Sequence, residues 1–469
     1  MNSTAQKPPS TETGRSVILI ASVAALAGFL FGYDSAVING ATEAIRSQFD
    51  VGPGPLGFAV ASALVGAAIG AFAGGSISDR IGRIAVMKIA AVLFLVSALG
   101  SGLAPEIYTL IIFRVIGGVG MGIASVIAPA YIAEIAPAHI RGRLGSLQQF
   151  AIVVGIFLSQ LVNKLLADAA GGSGADLWFG MEAWRWMLLV EALPALGYFV
   201  GAYLIPESPR YLVATHKIPE ARRVLTLILG QKNLEISFNR IKESLEREEK
   251  PSLKDIRGAA AGLKPIVWVG IALAIFQQFV GINVVFYYSN TLWQSVGFSE
   301  SQSFIFSLIS ATINVTVTIF AILLVDKVGR KPLLLVGSIG MALTLGTMAV
   351  VFAMAPVTDA GPVLEGAAGP IALVCANLFV VFFGVSWGPV MWVMLGEMFP
   401  NRFRGAALAV AGFAQWFANF LVTQTFPPLA AYSLGLAYGL YAAFAAISFL
   451  FVAKFVPETN GRELEDMTE

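Results

Sequence analysis

Apolar residues run along this chain in twelve blocks of roughly 20 or more, parted by polar, glycine- and proline-containing connections. At 1.5 Å per residue, a helix of that length crosses the ~30 Å core of a bilayer. The blocks cover 16–40, 57–78, 85–104, 108–133, 145–167, 186–205, 265–290, 303–325, 332–354, 368–395, 405–428 and 434–456. They predict an all-α membrane protein of twelve transmembrane helices. The first fifteen residues are polar and contain prolines, and the first block is too long for a cleaved signal core, so it reads as a retained span.

One polar stretch interrupts the alternation. Glu207 to Arg257 carries 11 basic and 8 acidic residues, and its helical periodicity at Pro219–Leu229 and Leu234–Glu249 suggests short amphipathic helices on the membrane surface. A solvated linker is the plain reading of this stretch; bracing of a gate is the other. It divides the chain into a tail (1–15), a six-helix bundle (16–206), a helical linker (207–263), a second six-helix bundle (264–456) and a second tail (457–469). If the first tail is cytoplasmic, only Arg46, Lys164 and Arg185 of the 30 basic residues fall on the far side, and Arg114 alone lies inside a span. The positive-inside rule then places both termini in the cytoplasm of a multi-pass protein of the plasma (inner) membrane.

Composition removes whole classes of function. Hydrophobic residues make up 57% of the chain and charged residues 13%, against about 25% charged in globular proteins. A mean hydropathy of +0.77 and 48 glycines fit closely packed membrane helices. A soluble enzyme, a secreted module and a disordered scaffold are all disfavoured. With a net charge of +1, no basic surface invites nucleic acid. Cys375 is the single cysteine and cannot form an intrachain disulfide. His139 and His216 are the only histidines and sit in polar connections, which argues against a histidine metal site; no cofactor is expected. Any proton carried through the membrane must therefore ride on a carboxylate.

The two halves repeat one another. Asp79-Arg80-Ile81-Gly82-Arg83 follows span 2, as Asp326-Lys327-Val328-Gly329-Arg330 follows span 8. Glu134 ends span 4 with Arg141 seven residues on; Glu397 ends span 10 with Arg404 seven residues on. Pro206-Glu207-Ser208-Pro209-Arg210 closes span 6, and Pro457-Glu458-Thr459 closes span 12. Three matches in one order indicate an internal duplication. Asp79, Arg80, Arg83, Glu134, Arg141, Glu207, Arg210, Asp326, Arg330, Glu397, Arg404 and Glu458 all fall at helix ends on one side, where ion pairs could bridge the halves as a cytoplasmic gate. Near water such pairs contribute about 0–1 kcal/mol each, which suits contacts that open in every cycle. Ordinary positive-inside decoration is the alternative.

With these motifs, and with Gly32-Tyr33-Asp34, Arg114 before Gly117-Gly118, Gln277-Gln278, Gly281-Ile282-Asn283, Tyr287-Tyr288 and Gly388-Pro389-Val390-Met391-Trp392, the chain resembles the sugar porter family of the major facilitator superfamily from end to end. Within it the likeness is greatest to bacterial glucose and xylose proton symporters. The resemblance implies the major facilitator fold, two pseudo-symmetric six-helix bundles, and transport of a monosaccharide, with no enzymatic activity.

Several polar residues within the spans fit that expectation. Seven amides, Gln160, Gln277, Gln278, Asn283, Asn314, Gln415 and Asn419, fall on spans 5, 7, 8 and 11. A hexose is neutral and densely hydroxylated, and an amide both donates and accepts without bringing a charge. Trp392, with Trp416 as a second candidate, offers a flat face to the C–H side of a pyranose. Taken singly, each amide could be interhelical glue worth about 0.6 kcal/mol. Gly281 lets span 7 bend, which makes its outer half a candidate extracellular gate with Tyr287 and Tyr288 as the lid; an interfacial aromatic belt is the alternative. Asp34 in span 1 and Arg114 in span 4 match residues that pair in proton-coupled sugar porters, and Glu191 in span 6 is a secondary member of that network. A carboxyl that loses and regains its counter-charge in each cycle can take up and release a proton, although a permanent structural ion pair is the competing reading. These readings converge on a proton-coupled hexose symporter, most simply for glucose, monomeric and working by alternating access. A uniporter, or a proton symporter for a pentose or inositol, is the nearest alternative. A lipid-linked glycosyltransferase would need a phosphate or metal motif that the chain lacks, and a non-transporting sensor would need longer tails.

Overall fold

The computed structural model describes residues 11–137, 141–230, 234–247, 254–258, 260–359, 361–400 and 403–459, without the side chains of 11–15, 141–143, 145, 247 and 325–326. It contains 12 helical segments long and apolar enough to cross a membrane. The first half holds α1 (Thr11–Gln48), α2 (Pro53–Ile81), α3 (Arg83–Gly102), α4 (Ile107–Ile135), α5 (Arg141–Ala170), α6 (Ala183–Leu189) and α7 (Ala192–Leu204). Short helices α8 (Pro209–Ala214), α9 (Ile218–Leu229) and α10 (Leu234–Arg247) follow. The second half holds α11 (Pro265–Phe279), α12 (Ile282–Ser295), α13 (Glu300–Val328), α14 (Arg330–Ala353), α15 (Ala368–Val385), α16 (Trp387–Met398), α17 (Arg404–Tyr432) and α18 (Leu434–Phe455). Hairpins β1–β2 (Asp176–Trp178 with Met181–Glu182) and β3–β4 (Val357–Thr358 with Gly361–Pro362) lie in connections at the end of the bundle opposite the two termini. That end is called distal below.

Several helices outrun the apolar blocks. The first block ends near residue 40, yet α1 continues to Gln48, because the polar residues that follow still favour helix once they leave the hydrocarbon. Three spans are interrupted: the sixth between α6 and α7, the seventh between α11 and α12, and the tenth between α15 and α16. At the seventh, Gly281 takes φ +82°, a left-handed conformation that costs glycine little. At the tenth, Ser386 breaks the ladder.

Within each half the helices approach closely through small residues. A Cβ on Gly66 or Gly70 of α2 would lie 2.1 Å from a backbone oxygen of α4, and one on Gly118 or Gly122 of α4 would lie 1.9 or 2.0 Å from an oxygen of α2. Only glycine permits this two-turn interlock. Across the halves, α2 packs on α17, α5 on α13 and α1 on α12. The distal ends of these pairs are in direct contact: Gln424 Nε2 donates to Gly54 O (3.1 Å), and Ser173 N donates to Glu300 Oε1 (2.6 Å).

Candidate functional site

Span 7 and the helices around it gather most of the expected amides. Asn283 Nδ2 donates to Gln278 Oε1 (2.6 Å), and Gln278 Nε2 to Gln277 Oε1 (3.2 Å), which also accepts from Gln415 Nε2 (2.7 Å). Gln277 Nε2 in turn donates to Trp387 O (2.9 Å), a carbonyl next to the break of span 10. The helix interruptions thus supply both the turn that brings Asn283 back towards Gln278 and a backbone acceptor for Gln277. A continuous helix would offer neither. Asn419 sits on α17 close to this chain, accepting from Thr423 Oγ1 (3.2 Å) and lying beside the Tyr287 hydroxyl.

Not all the candidates join. Gln160 is on the other half, where its Nε2 donates to Ala36 O (3.1 Å). Asn314 is half-buried on α13 and Trp392 is 41% exposed on α16; neither hydrogen-bonds to the amide chain. Trp416 lies 6.0 Å, centroid to centroid, from Phe31 of α1. Tyr287 and Tyr288 are buried on α12, and the Tyr288 hydroxyl donates to Thr423 O (2.8 Å), tying α12 to α17.

Between Gln160 and α12 stands a residue that the sequence reading passed over. Asn39 of α1, 1% exposed, directs its Nδ2 at Gln160 Oε1 (3.1 Å), Ser289 Oγ (3.0 Å) and Ser307 Oγ (3.3 Å). Its Oδ1 accepts from Asn290 N (3.0 Å), while Asn290 Oδ1 accepts from Ser307 Oγ (2.6 Å). Five buried polar side chains from α1, α5, α12 and α13 therefore knot the two halves together on the distal side. An Asn-Gly pair near the end of the first apolar block and a Ser-Asn pair in span 7 were the available signals, but residues 250 apart in sequence carry no mark of being partners.

The ionisable residues within the spans form a second cluster, confined to the first half. Arg114 Nη1 donates to Asp34 Oδ1 (2.9 Å) and Asp34 O (3.1 Å), with both side chains 2% exposed. Glu191, 1% exposed at the break between α6 and α7, brings its carboxyl into hydrogen-bond contact with that of Asp34. Asp34 Oδ2 and Glu191 Oε1 have no other partner among the described residues. Two carboxyls can share such a contact only with a proton between them.

At the end bearing the termini, the repeated motifs build two matching braces. Arg83 grips Glu134 with Nη2 and Nε (2.9 and 3.1 Å) and reaches Asp79 with Nη1 (2.9 Å), while Glu207 accepts from Arg83 N and Ile84 N (both 3.1 Å). Arg330 grips Glu397 in the same way (2.7 and 3.0 Å), and Glu458 accepts from Arg330 N and Lys331 N (3.2 and 3.0 Å). Gly82 and Gly329 share φ near +98° and ψ near 160°. These pairs close helix ends within each half; the expectation that they bridge the halves is corrected. The two carboxylates in each brace serve the N-terminus of a helix in their own repeat, and the halves meet instead at the distal end. Arg80 is exposed, Arg210 Nη1 donates to Ser244 Oγ on α10 (3.2 Å), and Arg404 Nε donates to Phe399 O (3.1 Å). The side chains of Arg141 and Asp326, and the whole of His139, lie outside the described residues.

A family model described as "Sugar (and other) transporter" matches residues 20–469. The glucose transport protein of Synechocystis sp. is 54% identical over 469 residues, covering 100% of both chains. The D-xylose-proton symporter of Escherichia coli (strain K12) is 39% identical, over 96% of this chain and 95% of that one. Among solved structures, the inward open conformation of the xylose transporter XylE from E. coli superposes with a TM-score of 0.82 at 39% identity, over 96% of this chain and 99% of that one. XylE bound to 6-bromo-6-deoxy-D-glucose gives 0.78 at 39% identity, over 97% and 99%.

Proposed function

The chain belongs to the sugar (and other) transporter family, a multi-pass membrane carrier and not an enzyme, and from that premise we propose that it is a proton-coupled hexose symporter that imports glucose. The observation that carries the proton half of this reading is the buried Asp34–Arg114–Glu191 cluster. Two carboxylates and one guanidinium sum to one negative charge, and a single proton shared between the carboxyls makes the cluster neutral. An uncompensated buried charge costs several kcal/mol, so the protonated cluster is the form that tolerates exclusion of water while the carrier turns over. Facing the side where water reaches Asp34 and protons are scarce, the cluster gives the proton up.

The sugar half of the reading rests on the amide chain. Gln277, Gln278, Asn283, Gln415 and Asn419 present neutral donors and acceptors on the second half, with Gln160 opposite them on the first and Asn314 and Trp392 on flanking helices. Sugar held between the halves draws them together, and the Asn39 knot with Tyr287 and Tyr288 closes over it on the distal side. We assign that side to the exterior and the termini to the cytoplasm of the inner membrane, consistent with the distribution of basic residues. The 54% identity to a glucose transport protein favours glucose, and the likeness to a xylose-proton symporter makes xylose the competitor to test.

Purified protein in liposomes decides it. Glucose should accumulate against its gradient when the exterior is acid, the exterior should alkalinise as sugar enters, and xylose should compete more weakly. Equal uptake with and without the pH gradient would make the chain a uniporter.

A further inference from the structure

The shared proton at Asp34 and Glu191 must reach a site that the distal knot seals from the seam between the halves. A Cβ placed on Gly117 of α4 would lie 2.2 Å from Ser97 Oγ of α3 and 3.3 Å from Asp34 Oδ2. The missing side chain therefore leaves a small space flanked by these two oxygens, which are at most about 5.5 Å apart, a span that one water bridges with two ordinary hydrogen bonds. One helical turn on from Ser97 towards the distal end is Ser101; residues in that relation have Cβ atoms about 5–6 Å apart. Ser97 and Ser101 are each 2% exposed, and Ser101 Oγ has no hydrogen-bond partner among the described residues. An unpaired hydroxyl buried among apolar helices loses about 1–3 kcal/mol, so its position calls for a function. Next to Ser101 the path opens at the distal surface, where Arg185 Nη1 donates to Gly102 O (3.3 Å) and Ala104 O (2.6 Å) and Arg185 Nε pairs with Glu182.

We propose that Ser101 and Ser97 of α3, with water held over Gly117, form the route by which protons enter from the distal surface to the Asp34–Glu191 pair, apart from the seam through which sugar passes. The proposal rests on the reading of Asp34 as the proton carrier. The ionisable groups around Asp34 are Arg114 of α4, Glu191 between α6 and α7, and the tyrosines Tyr33 of α1 and Tyr287 of α12. Neither serine is among them. The serines would act by ordering water and relaying protons, while binding neither proton nor sugar at equilibrium. Every residue of the route is on the first half, so it stays assembled as the halves rock.

Ser97→Val with Ser101→Val tests this, with Ser97→Ala and Ser101→Ala as the less intrusive pair. In liposomes, proton-driven glucose uptake from an alkaline exterior should slow about tenfold, the low end of what a positioned proton-relay group contributes. Glucose counterflow at equal pH should stay within about twofold, and acidifying the exterior should restore much of the lost rate by mass action. Unchanged uptake in the valine pair overturns the route. A parallel loss of counterflow also overturns it, because the serines would then be packing residues. Asp34→Asn run alongside separates the two levels: if that variant still accumulates glucose, the carrier assignment fails and the route falls with it, whereas loss of accumulation there with normal serine variants refutes the route alone.

Discussion

The two halves share a frame and differ in what they carry. The braces are the same on both sides: Arg83 with Glu134 and Glu207, Arg330 with Glu397 and Glu458. Within the spans the same register pairs unlike residues. Gly32-Tyr33-Asp34 aligns with Gly281-Ile282-Asn283, the Glu134–Glu397 match sets Arg114 against Asn377, and the match of the span 6 and span 12 ends sets Glu191 against Ala442. The ionic cluster of the first half is thus replaced, position by position, by neutral residues in the second. Asn283 turns to the amide chain, and Asn377 accepts from Ser310 (2.8 Å). Duplication supplied two equivalent pockets; one kept the charges and suits a proton, the other lost them and suits a neutral sugar. Coupling then lies in the rocking of one half against the other, since no described ion pair within the membrane joins the two sites.

The sharpest break of this comparison is Asp34→Asn, which gives the first half the residue that the second half has at the matching position. It should abolish accumulation while leaving sugar exchange intact. One proton crossing about 150 mV supplies roughly 3.5 kcal/mol, enough for a gradient of several hundredfold, and a neutral sugar alone draws on none of it. The measurement is accumulation against counterflow in the same vesicles. Accumulation at the wild-type ratio would make Asp34 a structural partner of Arg114.

Next in size is Gln277→Ala in the second half. Gln277 receives two amide donors and donates to Trp387 O, so its removal strips several neighbours at once. Sugar binding should weaken by about 1–3 kcal/mol, roughly 5- to 150-fold in Kd, with proton coupling per sugar unchanged. Calorimetric titration in detergent gives the first quantity and the uptake stoichiometry the second. If the variant binds normally but uncouples, the division of labour between the halves is wrong.

Asn39→Ala tests the seam itself and should have a smaller effect. It removes the donor shared by Gln160, Ser289 and Ser307, favouring the state in which the distal ends part. Labelling of a cysteine introduced at Ser303, with Cys375 replaced by serine, should quicken about fivefold on the distal side, equivalent to a shift of about 1 kcal/mol. Unaltered labelling would show that the apolar contacts of α2 with α17 hold the seam unaided.

Much of this was legible beforehand, for physical reasons. Span number follows from bilayer thickness, and Asp34, Arg114 and Glu191 stand out because a charge among apolar residues is costly. The helix interruptions at Glu191, Gly281 and Ser386 were harder: hydrophobicity is the same on both sides of a break, and only Gly281 carried a local signal. The Asn39 knot escaped because serine and asparagine are common in spans and their partners lie in the other half. The braces were located correctly by motif, yet Arg83-to-Glu134 spacing looks the same whether a pair closes its own half or reaches across, so the pairing needed three dimensions.

The finest distinction between the halves lies within the braces. Arg83→Ala and Arg330→Ala each remove a two-pronged grip on a carboxylate, but the carboxylates are left in different company. Glu134 is 13% exposed and Glu397 28%, and Glu397 keeps the Thr459 hydroxyl as a donor (2.6 Å). A partly buried carboxylate without its partner costs about 1–3 kcal/mol, and one that retains water and a hydroxyl sits at the low end of that range. Arg83→Ala should therefore lower the apparent Tm in detergent by more than Arg330→Ala, with a difference of about 1 kcal/mol in stability. Thr459→Ala combined with Arg330→Ala should close most of the gap, because it takes away the remaining donor. Equal losses in the two single variants, or a larger one in Arg330→Ala, would mean that burial of the acid does not set the strength of these braces and that the resemblance between the halves extends to their energetics.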